Sequence, residues 1–262
     1  MLDGTAGAPP PTCQTRVCGG GQWVCFRDAL SADEVTRATR FLSERAASSR
    51  EAFTLIERAA ADDDAAAAAT SAWLHARCLE LAAAAARAAG WAACASGGQG
   101  LRAVDPLVYD RFGPAFSAPE FRWHRDAQPG DGRAVSLVLY FTPPEAYAGG
   151  ELRIRARRDP AADAGDAAAV APSAPPPPRD AATATPAPPH AAAADADERA
   201  VWSYRFGVGD AVAFPSAELE HCVAPVVEGE RHSLLLLAGG DEVWRSAGPG
   251  LQIAASTCLT QP

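Results

Sequence analysis

The chain has no lysine and no asparagine; all 23 of its basic residues are arginine. Without lysine no G-x-x-x-x-G-K-[ST] phosphate loop can be written, and no strand, G-x-G-x-x-G and helix unit occurs either. Without asparagine there is no N-linked glycosylation sequon. A net charge of -9 argues against a polyanion-binding surface, so nucleic acid is not an expected partner. No run of ~18 uncharged apolar residues occurs, so no membrane association is expected; the richest stretch, Ala82–Ala95, is broken by Arg87 and Gly90. The amino terminus lacks a basic start leading into an apolar stretch and does not read as a secretory signal. The seven cysteines are odd in number and include no Cys-x-x-Cys pair, and Cys13, Cys18 and Cys25 are spaced unlike a zinc knuckle. Reduced thiols and a cytoplasmic location are the resulting expectation.

Alanine, proline and arginine are over-used, so alanine-rich stretches carry little information and the histidines and tyrosines carry more. Residues 1–21 read as a flexible leader, and 22–100 as a strand (Trp23–Phe26) with supporting helices. Ser31-Ala-Asp-Glu34 is a capping box flanked by the staple pair Leu30 and Val35, and the apolar stripe Val35, Ala38, Phe41, Leu42 predicts a helix to about Ala47. A second helix is expected from about Ala65 to Ala89, with Leu74, Cys78, Leu81, Ala85 and Ala88 on one face and Gly90 as its stop. His75 lies in this helix and reads as a packing residue rather than a ligand.

From 101 to 245 the pattern changes to short strands separated by Gly/Pro turns: Leu107–Tyr109, Phe121–His124, Ala134–Phe141, Gly149–Ile154, Val201–Phe206, Ala211–Phe214, His221–Val226 and Arg231–Ala238. This predicts a mainly β fold with N-terminal helices, a sandwich or jelly roll rather than a parallel sheet. Residues 159–200, dominated by Ala, Pro and Asp, read as a disordered insertion too poor in apolar area to offset its ordering entropy. His190 falls inside it. Residues 246–262 read as a C-terminal tail.

The chemistry concentrates in His124-Arg-Asp126, with His221 and Arg231 downstream. His-x-Asp on a strand puts both side chains on one face. Two histidines and one carboxylate fill one face of an octahedral Fe(II) and leave positions for a co-substrate and O2. Arg231 follows His221 by ten residues, and a guanidinium there suits a fork-shaped pair with a distal carboxylate.

The stretch His124-Arg-Asp-Ala-Gln-Pro-Gly-Asp-Gly-Arg133 leading to Tyr140 resembles the metal-binding half of prolyl 4-hydroxylase-like Fe(II)/2-oxoglutarate-dependent dioxygenases, with Gly130-Asp-Gly-Arg133 closest to the oxygen-sensing prolyl hydroxylases. Pro144-Glu-Ala-Tyr-Ala-Gly-Gly-Glu-Leu152 resembles the P-x-x-Y-x-G-G-E-L of related bacterial hydroxylases. Phe214-Pro-Ser, then His221-Cys-Val-Ala-Pro-Val-Val-Glu-Gly-Glu-Arg231-His-Ser233, matches the superfamily's F-P-S and H-x-V-x-P-V-x-x-G-x-R-x-S. The resemblance covers about residues 104–240 without the insertion.

It implies a double-stranded β-helix (jelly roll) with His124, Asp126 and His221 as catalytic metal ligands. It further implies Arg231, Tyr140, Ser233 and Tyr109 as 2-oxoglutarate-binding residues, O2 as co-substrate and ascorbate as reductant. The activity implied is hydroxylation of a prolyl residue in a peptide or protein, with release of succinate and CO2. A free amino acid or small metabolite is the alternative substrate; a metal cupin that does not use 2-oxoglutarate and a catalytically dead binding module are the alternative functions. Leu152, Leu237 and Arg231 depart from the collagen-type enzymes, which favour Thr, Trp and Lys there. Asp131 and Arg133 are expected to shape a turn, Trp123, Trp202 and Trp244 to pack, and Cys222 to face away from the metal, buried and inert.

Overall fold

Ser31 begins the first helix as its pattern predicts: Glu34 N–H donates to Ser31 Oγ, and the Glu34 carboxylate accepts from Ser31 N–H. The helix, α1, runs Ala32–Ala46 and buries Ala38, Phe41 and Leu42. α2 runs Ala65–Ala89 from an Asp64 cap to Gly90, whose left-handed conformation ends it. Its buried face is Ser71, Leu74, His75, Cys78, Leu81, Ala82, Ala85 and Ala86. Ala88, expected on that face, is exposed, because the register of the last turn carries it round to solvent beside Arg87. His75 packs there with Nδ1 2.9 Å from Ser71 O.

The computed structural model describes residues 12–18, 21–47, 49, 51–58, 64–91, 100–116, 120–128, 131–155 and 201–240. The expected insertion, His190, Trp244 and the tail at 246–262 lie outside them.

The strands in chain order are β1 Thr12–Cys18, β2 Gly21–Arg27, β3 Phe53–Ile56, β4 Arg102–Ala103, β5 Leu107–Phe112, β6 Phe121–His124 and β7 Val135–Tyr140. They continue as β8 Tyr147–Gly149, β9 Leu152–Arg155, β10 Val201–Tyr204, β11 Ala211–Pro215, β12 His221–Val223, β13 Val226–Gly229 and β14 Arg231–Gly239. β1 corrects part of the expected leader: Thr12–Cys18 pair along their whole length with β2. β3 was not marked by any alternation in the sequence and forms by pairing with β5. Pro225 divides the expected strand at 221–226, so that β12 and β13 join different partners.

The large sheet has the order β1-β2-β11-β7-β14-β5-β3, with β4 on β14; the small sheet is β10-β9-β12-β6, and β13 and β8 form a ribbon. From β5 onward the chain passes between the two antiparallel sheets: β5 large, β6 small, β7 large, β9 and β10 small, β11 large, β12 small, β14 large. That alternation is a jelly roll.

Period-two alternation on the large sheet separates two cores. Leu137, Leu139, Leu234 and Leu236 face α1 and α2 in one cluster, where each buried side chain contributes roughly 1.5–3 kcal/mol. Val138, Tyr140, Val212 and Phe214 face the small sheet and pack with Leu152 and Ile154. The helices thus back a sheet whose other face is free to carry chemistry.

Candidate active site between the two sheets

β6 and β12 are neighbours, and their register sets His221 directly opposite His124. The rings lie 4.3 Å apart between centroids. Asp126 follows β6 by two residues, with Oδ1 3.1 Å from His124 Nε2 and 3.7 Å from His221 Nε2. One ligand atom from each of His124, Asp126 and His221 lies within 4.8 Å of the others. His124 Nδ1 is 2.7 Å from Arg122 O and His221 Nδ1 is 3.2 Å from Leu219 O. A carbonyl only accepts, so both Nδ1 atoms carry a hydrogen, and the Nε2 atoms turned toward Asp126 are the ones able to ligate a metal once deprotonated.

Burial lowers the His221 pKa, against the pull of Asp126. Burial alone would raise the Asp126 carboxyl, but the positive charge available at His221 and His124, with hydrogen bonds from His124 and Ser136, outweighs it and holds the group at about 2. Asp126 Oδ2 is buried without a hydrogen-bond partner. A buried carboxylate with an unsatisfied oxygen, beside two imidazole Nε2 atoms, is the donor set of a divalent-cation site.

The loop carrying Asp126 is tied down from several sides. Arg133 Nη1 donates to Asp126 O at 2.9 Å while Arg133 Nε pairs with Asp105 at 2.9 Å. Asp131 closes the turn by accepting from Gln128 N–H and Arg133 N–H, as its expected turn-shaping role requires. Ser216, the last residue of Phe214-Pro-Ser, accepts from Ala127 N–H and contacts Ser136 Oγ at 2.8 Å. That motif therefore fastens the ligand loop to β7.

Across the gap, the inner face of β14 presents Arg231 and Ser233. Arg231 is 2% exposed. Its Nη1 donates to Ser233 Oγ at 3.3 Å, and its Nε is buried without a partner. Tyr140 stands opposite Ser233 on β7, with its hydroxyl also buried and unpartnered. The guanidinium carbon lies 5.0 Å from the Tyr140 ring centroid and 5.4 Å from that of Phe112. Among the described residues Arg231 has no carboxylate in ion-pair range. Buried positive charge with idle donors around it is a recess for an anion.

The Gly149-Gly150 turn makes this possible. A Cβ at Gly150 would meet Arg231 Cδ at 3.1 Å, and one at Gly149 would sit 1.9 Å from Pro225 O. Both glycines have positive φ, 78° and 69°, a conformation costly for other residues.

The structure brings together His124, Asp126 and His221 in one cluster and Arg231, Ser233 and Tyr140 in another. Tyr109 joins neither. It points to the opposite face of β5, into the helix-side core, and its hydroxyl is 2.9 Å from His232 Nδ1. Asp110 and Phe112 occupy the inner face instead. Reading that strand only as Leu107–Tyr109 hid them, and extending the alternation by three residues would have exposed the swap. Tyr147, beside Arg231 and Gly150, was likewise missed. Cys222 is buried, and burial pushes its thiol up to about 11. Trp123 packs under the Arg155 guanidinium at 3.9 Å, and Trp202 lies against the inter-sheet core.

Residues 115–237 match the 2OG-Fe(II) oxygenase superfamily. No curated protein matches the chain. Among solved structures, a Pseudomonas putida prolyl-4-hydroxylase is similar at 18% identity and TM-score 0.47, over 83% of this chain and 92% of that one. A Trichoplax adhaerens prolyl hydroxylase in complex with a hypoxia inducible factor peptide fragment is similar at 13% identity and TM-score 0.48, over 86% and 87%. A viral collagen prolyl hydroxylase from Paramecium Bursaria Chlorella virus-1 stands at 14% identity and TM-score 0.45, over 86% and 99%. No helix among the described residues is long and apolar enough to cross a membrane.

Proposed function

We propose, from the membership of residues 115–237 in the 2OG-Fe(II) oxygenase superfamily, that this enzyme hydroxylates an organic substrate while converting 2-oxoglutarate and O2 to succinate and CO2. The observation that carries the reading is the pairing of two incomplete sites. The orphaned carboxylate oxygen of Asp126 suits a metal, and the orphaned Arg231 Nε and Tyr140 hydroxyl suit an anion. The Arg231 and Asp126 charges lie near enough to act on the same buried carboxyl, that of Asp110. A cupin indifferent to 2-oxoglutarate has no use for the second site, and a dead module has no use for the first.

In this reading His124, Asp126 and His221 would hold Fe(II), which would activate O2, the oxidant for both 2-oxoglutarate and the substrate. Arg231 grips the distal carboxylate of 2-oxoglutarate with its guanidinium fork, and the Ser233 and Tyr140 hydroxyls donate to the same group. Arg133 and Ser216 keep the Asp126 loop in place while substrate enters. The buried walls, Phe112, Phe206 and Phe214 among them, exclude water around these charges and strengthen each contact.

The substrate we assign is a prolyl residue in a peptide or protein. The support is the sequence of Gly130–Arg133 and Pro144–Leu152, and a free amino acid remains the competing choice. Ascorbate serves as the reductant in the same reading.

His124→Ala, Asp126→Ala and His221→Ala test the metal assignment. Each should lose nearly all 2-oxoglutarate turnover to succinate and bind Fe(II) weakly, with far-UV circular dichroism unchanged because the core is untouched. Near-normal succinate release by any one of them sinks the triad. Peptides and free amino acids incubated with Fe(II) and 2-oxoglutarate, then examined by mass spectrometry for one added oxygen, decide between the substrates.

A further inference from the structure

The anion recess already contains a carboxyl group of its own. Asp110 is 8% exposed on the inner face of β5, and the strand register sets it directly opposite Ser233, which in turn stands opposite Tyr140. Ser233 Oγ donates to Asp110 Oδ2 at 3.4 Å and accepts from Arg231 Nη1 at 3.3 Å. Asp110 is thus linked to the guanidinium through one hydroxyl rather than by a direct ion pair.

The groups that face Asp110 are few. β14 supplies Arg231 and Ser233, the loop after β6 supplies the Asp126 charge, and β3 sets the apolar Phe53 opposite it. Arg111, its neighbour in sequence, points to the other face and donates to the carbonyls of Ala46, Ser49 and Glu51. Nothing else charged among the described residues bears on it strongly.

A serine hydroxyl has a single hydrogen. While Asp110 is ionised, that hydrogen is committed to Asp110. A second carboxylate seated on Arg231 and Ser233 would lie two hydrogen bonds away, roughly 6 Å, with one guanidinium between two buried anions. Like charges so placed do not both stay ionised.

We propose that Asp110 is a positioning residue that makes co-substrate entry a proton-coupled event. 2-Oxoglutarate binds as its dianion, one proton moves from solvent to the Asp110 carboxylate, and Ser233 turns its hydrogen from Asp110 to the incoming carboxylate. The protonated Asp110 then donates back to Ser233 Oγ, so the row Asp110, Ser233 and ligand runs in one direction with every donor used. Electrostatics already lean this way: burial, reinforced by Asp126 and opposed by Arg231 and Ser233, pushes Asp110 up to about 7 before any ligand arrives. This inference rests on reading Arg231 as the anchor for 2-oxoglutarate.

Isothermal titration of 2-oxoglutarate into the Mn(II)-loaded full chain tests it. Two buffers of different ionisation enthalpy, phosphate and Tris, read proton uptake directly. At pH 8 the wild type should take up close to one proton per ligand bound, and its Kd should rise roughly tenfold per pH unit from there. At pH 6 the uptake should vanish. Asp110→Asn should show no uptake and a flat Kd, and should bind more tightly than wild type at pH 8.5. Binding by the wild type at pH 8 without proton uptake overturns the role of Asp110, whether or not the variant folds. So does an Asp110→Asn protein that keeps the wild-type slope. A wild type that does not bind 2-oxoglutarate at either pH overturns the functional assignment itself, and this inference with it.

Discussion

Replacing Arg231 with alanine separates the anion site from the metal site. Arg231 is 2% exposed, and its Nε has no partner until a ligand supplies one. In the variant, the distal carboxylate of 2-oxoglutarate enters a recess from which water is excluded and where the Ser233 and Tyr140 hydroxyls remain without a positive charge beside them. Leaving one partner of a buried charge pair without the other costs on the order of 2–5 kcal/mol. At ~1.4 kcal/mol per decade the apparent KM for 2-oxoglutarate should rise at least ~30-fold. Fe(II) binding should hardly change, since none of the three ligands touches Arg231. Arg231→Lys should recover part of the loss, keeping charge but not the fork. The assay is succinate production against 2-oxoglutarate concentration, with Fe(II) affinity measured separately. An unaltered 2-oxoglutarate dependence in Arg231→Ala would refute the anchor and return the cupin reading to first place.

Two further outcomes concern stability. Gly149→Ala drives a Cβ toward Pro225 O at a left-handed φ, costing about 1–2 kcal/mol for conformation and about as much again for the clash. Its Tm should fall by roughly 6–12 °C, and a fall below about 2 °C would contradict this. Asp110, raised from 3.8 to about 7, ionises in the unfolded chain at lower pH than in the folded one. The contribution of Asp110 to stability is therefore fully present below pH 4 and drains as pH rises from about 4 to about 7, by on the order of 4 kcal/mol. Asp110→Asn removes that slope, so its advantage in urea unfolding should grow from pH 4 to 7 and then hold constant; a difference independent of pH would disprove the burial argument.

Much of the site was legible because its chemistry is written in spacings that strands convert into faces. His124 and Asp126, and again Arg231 and Ser233, are two apart on or just past a strand. Period two then places each pair together, whichever sheets they join. The pairing of His124 with His221 is a long-range register that no local pattern encodes. Tyr109 shows how narrow the margin is: one residue along β5 exchanges an inward side chain for an outward one, and Asp110 went unnoticed for the same reason. β1 and β3 were illegible because each is held by hydrogen bonds to a neighbouring strand more than by its own apolar periodicity. The helices were legible from caps, Ser31 and Gly90, whose roles are local.

His124, His221 and Asp126, the proposed metal ligands, belong to the small sheet and the loop beyond it, and Arg231, the proposed carboxylate anchor, belongs to the large one. On the proposed reading, a single small molecule bridges the two sheets, chelating at one end and gripped at the other. Facing sheets pack at ~10 Å, set by the side chains between them, here Val138, Leu152, Ile154 and Phe214 among others. The core therefore acts as a gauge block. On the same proposed reading it should favour a five-carbon 2-oxo diacid over a four-carbon or six-carbon one, which competition in the succinate assay would read. A core substitution that changes the gap between the sheets retunes this choice without touching any residue that meets the ligand.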